Sequence, residues 1–212
     1  MVQLNLNFLI KSVAVSSLIF AGLAQAQPPT GPMSFFITSQ GSGDGANLGG
    51  LEGADAICQN LAASADLGDL TWRAYLSTQG ENAVNARDRI GPGPWFNAVG
   101  YRIAADVDSL HSFQHRMSAS TGLDELGRII PGTGSFPNRH DILTGSTDDG
   151  MAYPSGDDMT CNNWTSNNEG KARVGHHDFA AWGSAHDSRG CSPDALVASG
   201  GAGLLYCFAV NE

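Results

Sequence analysis

The chain has 212 residues, four cysteines and a formal net charge of −10 at pH 7. That length suits one domain with a sizeable core. The acidic balance repels nucleic acid and anionic lipid headgroups, which leaves neutral, cationic or metal-bearing partners.

In chain order, Lys11 precedes an apolar run from Val13 to Leu23 that closes on Ala24-Gln25-Ala26. A charge, a short hydrophobic stretch and small residues before the cut are the layout of a secretory leader, here residues 1–26. The run falls short of the roughly 20 apolar residues that span a bilayer. No cysteine follows the expected cleavage point, and no later segment is apolar enough for the mature chain to insert in a membrane. The predicted location is therefore secreted, periplasmic or cell-surface. Residues 27–33, with Pro28, Pro29, Gly31 and Pro32, read as an extended linker, and residues 34–212 as a single domain.

Phe35-Phe36-Ile37-Thr38 predicts a short strand, followed by a glycine-rich turn from Gly41 to Gly50. Leu51, Ala54, Ile57, Cys58 and Leu61 recur at helical spacing, with Glu52 and Asp55 on the opposite face. Thr71 to Thr78 alternates Trp72, Ala74 and Leu76 with Arg73, Tyr75 and Ser77, the pattern of a half-buried strand. From Arg87 to Asn163 short apolar pieces are broken by Gly, Pro, Asn and Asp, so loops dominate that half. Leu204 to Val210 is apolar on both faces and suits a central strand.

Four cysteines in an exported chain read as two disulfides, with three connectivities open. Cys58 sits on the buried helix stripe and Cys207 on the last strand, which suggests a staple across the whole fold. Joining Cys58 to Cys207 and Cys161 to Cys191 makes the bridges nested.

Several ordered blocks carry a resemblance. They are Gly49-Gly50-Leu51-Glu52-Gly53-Ala54-Asp55-Ala56-Ile57-Cys58, Trp72-Arg73-Ala74-Tyr75-Leu76-Ser77 and Ala86-Arg87-Asp88-Arg89-Ile90. Further along come Asp141-Ile142-Leu143-Thr144-Gly145, Cys161-Asn162-Asn163-Trp164-Thr165-Ser166, Trp182-Gly183-Ser184-Ala185-His186 with Gly190-Cys191-Ser192, and Gly200 to Phe208. Together they resemble the bacterial extracellular domain of unknown function found in the leptospiral endostatin-like proteins. The resemblance implies an α+β domain of C-type-lectin-like (endostatin-like) fold with a loop-rich half, paired terminal strands and the same nested disulfides. It also implies an adhesin-like module that recognises an extracellular protein or glycan. The arginine-rich heparin face of endostatin has no counterpart in so acidic a chain, and the first histidine is His111, far from the N-terminus.

The richest polar cluster is His176-His177-Asp178 with His186-Asp187 ten residues on. Imidazole and carboxylate are the usual ligands of zinc and related metals, so His176, Asp178, His186 and Asp187 are candidate ligands. Three of them, with an open fourth position, would support hydrolysis through metal-bound water. The competing reading is that they anchor loops by hydrogen bonds. His111 and His115 have the i, i+4 spacing of one helix face but lack the glutamate of a zincin motif. Asp44 with Asn47, and the pairs Asp148-Asp149 and Asp157-Asp158, offer oxygen atoms of the kind calcium takes.

Trp164, Trp182, Asn162, Asn163 and His186 are the candidate ligand-binding residues, the indoles as stacking surfaces for sugars or as core. A Gly-x-Ser-x-Gly elbow is missing and every cysteine is assigned to a bridge, so nucleophilic catalysis has no candidate. The expected function is a non-enzymatic extracellular binding module that requires no cofactor. The alternatives are a small metal-dependent hydrolase using His176, Asp178 and His186, and a calcium-stabilised structural surface protein.

Overall fold

The computed structural model describes Met1 and residues 29–210, so the expected leader lies outside the described residues. The chain is a mixed α+β domain built on its last strand. Strand β8 (Gly201–Val210) takes β1 (Phe35–Ile37) antiparallel at residues 206–208 and β2 (Thr71–Ala74) antiparallel at 207–210. Cys207 pairs with both Phe36 and Ala74, which places β1 and β2 on opposite edges of β8. Strand β5 (Asp141–Leu143) joins β8 in parallel, and β6 (Arg173–His176) and β7 (His186–Asp187) extend the sheet antiparallel beyond it. A separate hairpin pairs β3 (Trp95–Phe96) with β4 (Arg102–Ala104).

The period-two geometry of a strand explains why β8 is apolar throughout. Leu205, Cys207 and Ala209 face one core, against Phe36, Trp72 and helix α1 (Gly50–Ser64) through Ala54, Cys58 and Ala62. Leu204, Tyr206 and Phe208 face a second core with Phe35, Tyr75, Trp95, Ile142 and Trp182. The expected helix, first strand and central last strand are all present.

Two expectations need correction. The ladder of Thr71–Thr78 ends at Ala74, and Tyr75 and Ser77 are fully buried rather than facing water. The chain leaves β8 after Tyr75, whose amide still donates to the Tyr206 carbonyl at 2.9 Å, and enters the interior. There the Ser77 amide donates to the Thr144 carbonyl at 2.9 Å, and the Ser77 carbonyl accepts the Trp164 indole N–H at 2.8 Å. Further upstream, the proline-rich segment is fastened from Thr30, which bridges to Tyr101, and Met33 packs on the first core.

The disulfides are Cys58–Cys207, linking α1 to β8, and Cys161–Cys191, nested inside the first. Cys161–Trp164 forms a single turn (α3) in which four consecutive non-glycine residues have φ between 48° and 68°. A left-handed turn of L-residues costs about 1–2 kcal/mol per residue. Here it is held by the Cys161 bridge and by Asp158, whose carboxylate accepts the Thr160 and Asn162 amides at 2.9 Å each. The remaining helices are α2 (Val107–Leu110) and α4 (Pro193–Ser199). Among the described residues no helix is long and apolar enough to cross a membrane, and the two disulfides suit a non-cytoplasmic environment.

Candidate metal centre

Three neighbouring strands bring histidines to one carboxylate. Asp141 opens β5 and stands opposite His176 at the end of β6, and His186 opens β7 opposite Val174, two residues before His176. Directly opposed residues on one sheet face have their Cβ atoms about 4.5–5.5 Å apart, so the register alone brings these side chains together. His140 precedes β5, outside the strand alternation, and lays its ring on that of His176 with centroids 4.2 Å apart.

The Nε2 atoms of His140, His176 and His186 lie 3.1, 3.2 and 3.4 Å from Asp141 Oδ1. Asp141 is 3 % exposed, and neither of its oxygens has a hydrogen-bond donor among the described residues. His176 Nε2 is likewise unpartnered.

The outer hydrogen bonds fix what these rings present. His140 Nδ1 lies 2.9 Å from Thr133 Oγ1 and 3.2 Å from Asp178 Oδ1. Ionised Asp178 only accepts, so His140 Nδ1 carries the proton and its Nε2 is a bare lone pair. His186 Nδ1 donates to the Asp187 carbonyl at 3.0 Å, which leaves its Nε2 bare as well. With both rings neutral, two imidazole lone pairs point at the lone pairs of a buried carboxylate oxygen, a repulsive arrangement that either a proton on a ring or a metal cation between them relieves.

Burial first, and then the repulsion that protonated His140 or His186 would exert, depresses His176 to about 4, so that ring is neutral at pH 7. Burial pushes the Asp141 carboxyl up, and protonated His186 or His140 would pull it back, His186 then also donating a hydrogen bond to it. Burial also acts to raise Asp178, but hydrogen bonds from Thr133 outweigh it and hold that carboxyl below its ordinary range.

The three Nε2 atoms stand 3.1–3.4 Å from Asp141 Oδ1, close to the roughly 3.3 Å edge between two ligands that each sit 2.0–2.1 Å from zinc. His140, Asp141 and His176 place one donor atom each within 4.8 Å of one another, and His186 adds a fourth facing the same oxygen. Asp178 behind His140 has the place of a carboxylate that orients a metal-bound imidazole. Gly200 closes the far side with φ +114°, and a Cβ there would come within 3.1 Å of His140 Nε2.

Of the four residues expected as ligands, His176 and His186 enter the cluster directly. Asp178 stands one shell out, and Asp187 turns away to Lys171 and Arg173 at 2.8 and 3.1 Å. His140 and Asp141 were missed. The signal for them lies in the sequence, where the dipeptide His-Asp recurs at 140–141, 177–178 and 186–187. His177, the histidine of the second of these, is fully buried with neither ring nitrogen partnered among the described residues.

The residues expected to bind a ligand do not form one surface. Trp164 is wholly buried, and Trp182 is 3 % exposed with its indole N–H donated to the Leu110 carbonyl at 3.0 Å. Asn163 uses its side chain to hold the Gln79 backbone at 2.7 and 3.0 Å, and Asn162 beside it lines a polar cleft of about 330 Å³. His186 belongs to the cluster on β7. Two of the acids named for calcium are used locally: Asp44 accepts the side-chain amides of Asn47 and Asn167, and Asp158 caps the left-handed turn. His111 lies at the end of α2, so the helical spacing to His115 does not apply. No model of a known protein family matches the chain, and a search of curated proteins finds no similar sequence.

Proposed function

We propose that this is an exported, non-enzymatic binding domain of the endostatin-like kind whose functional element is a mononuclear transition-metal site formed by His140, Asp141, His176 and His186. One observation carries the reading: two imidazoles whose Nδ1 atoms are engaged elsewhere turn their Nε2 atoms to a buried carboxylate oxygen, a convergence of donors that suits a cation. A divalent ion of the zinc class takes there the nitrogen and oxygen donors it prefers.

His140, Asp141 and His176 converge as three donors, and His186, 3.4 Å from the same carboxylate oxygen, is placed to swing in as a fourth and close the shell. The hydrolase built on His176, Asp178 and His186 loses support because Asp178 stands behind His140 instead of among the donors, and we favour holding or carrying a metal. His186, whose side chain is 41 % exposed, is the solvent-facing donor and the entry for the ion. The nested bridges, the pairing of first and last strands and the loop-rich middle support the endostatin-like assignment. Secretion rests on the leader layout of residues 1–26, and recognition of an extracellular protein or glycan on the sequence resemblance.

The test is elemental analysis of oxidised protein exported by its host, followed by zinc titration of the chelated chain. One ion per chain, lost in His140→Ala and in Asp141→Ala, is the expected result. Failure of the chelated protein to take up zinc, copper, nickel or cobalt saturably overturns the proposal.

A further inference from the structure

A second site shares no lining residue with the histidine cluster. A cavity of about 360 Å³ opens beside α2, walled by His111, Phe113, His115, Ala181 and Trp182, with Asp148 at its mouth. Its size lies at the lower end of small-molecule pockets, which run from about 300 to 1,000 Å³. The rings of His111 and His115 lie 5.6 and 6.3 Å from Trp182, and Phe113 stands almost fully exposed at the rim.

Most polar atoms of the wall are already spent. His111 Nδ1 donates to the Val107 carbonyl at 2.7 Å, and its Nε2 accepts the Tyr75 hydroxyl at 2.8 Å. His115 Nδ1 accepts the Met117 amide at 3.2 Å. The Trp182 indole N–H is held by Leu110, and Ser184 Oγ accepts the Arg173 guanidinium at 2.8 Å. Among the described residues, Asp148 has no hydrogen bond or ion pair.

Burial lowers both His111 and His115, so the wall carries no positive charge at neutral pH. Arg87, the cation felt at His111, is paired with Asp108 at 3.2 Å. The cavity thus combines an aromatic, uncharged lining with a single free carboxylate. That chemistry selects a ligand with a flat apolar body and one positive end, because aromatic faces attract cations and a carboxylate completes the pair.

We propose that this cavity binds a small organic ammonium ion, its ring between Phe113 and Trp182 and its charge on Asp148. The site is independent of the metal centre, and the test keeps it so by working in chelator. The whole oxidised chain is titrated calorimetrically with phenethylammonium, its neutral analogue phenethyl alcohol and its anionic analogue phenylpropionate. Saturable binding in the order cation, neutral, anion is expected. Asp148→Asn should weaken the cation about five-fold, towards the neutral analogue, as loss of one partly exposed charge pair does. Phe113→Ala should weaken all three alike. Both positions are exposed, so unchanged melting temperatures will show that the variants fold. Absence of saturable binding, no preference for the cation over the neutral analogue, or unchanged affinity in Asp148→Asn each overturns the proposal.

Discussion

Replacing Asp141 by asparagine should make the metal-free protein more stable, the reverse of the usual outcome at a buried polar residue. At pH 8 in chelator the wild-type carboxylate is buried with no donor while bare imidazole nitrogens face it. Leaving such a group unsatisfied costs about 1–3 kcal/mol, more when it is charged. Asparagine is nearly the same shape, removes the charge and supplies N–H groups to the nitrogens of His140 and His186. A gain of about 2 kcal/mol corresponds to roughly 4–8 °C in melting temperature for a domain of this size. Zinc at a hundred times its dissociation constant should add about 2.7 kcal/mol to the wild type, and nearly nothing to a variant whose neutral amide is a poor ligand. Melting curves of both proteins, in chelator and in zinc, should therefore cross: the variant ahead without metal and the wild type gaining on it with metal. An Asp141→Asn protein that melts below the wild type in chelator, or that keeps the full zinc increment, refutes the reasoning.

Asp178→Asn keeps an acceptor for His140 Nδ1 but loses its charge, and should weaken zinc about 10–100-fold while the stoichiometry stays at one; calorimetric titration measures it, and an unchanged affinity removes Asp178 from the site. The metal-free protein should lose stability as pH falls from 6.5 towards 4. His111, His115, His176 and His177 all have folded-state values below the ordinary 6.5. The unfolded chain therefore takes up protons first, and stability drops until the folded values are reached, about 4 for His176. Asp141, raised in the fold, works against this trend, and a melting temperature that is flat or rising across the window rejects the account. Removing Cys58–Cys207 closes off a loop constraint of 149 residues and should cost about 5 kcal/mol, against about 3.6 for the 30-residue loop of Cys161–Cys191. Paired Cys→Ala variants in chemical denaturation should show that order, and the reverse order rejects it.

Much of the scaffold was legible because it depends on local pattern. Helical spacing around Ala54 and Cys58, the two-faced apolar run ending at Val210 and the glycine turn between β1 and α1 each follow from the period of the backbone and the needs of burial. The same signals placed Cys58 and Cys207 on elements that meet. Alternation failed from Tyr75 on because the backbone left the sheet there, and a strand pattern does not record where its partner ends.

The site divides along the same line. His176 and His186 stood out as candidates through residue type and nearness in sequence. Their completion by His140 and Asp141 depended on the β5–β6 register, a pairing of segments about 35 residues apart that no local spacing encodes. Asp178 and Asp187, equal as residues in a His-Asp dipeptide, were separated by side-chain direction: one supports His140 and the other pairs with Lys171 and Arg173. Sequence thus determined which residues are able to bind a metal. The sheet decided which of them face one another, because strand pairing sets both the distance between side chains and the face on which they stand.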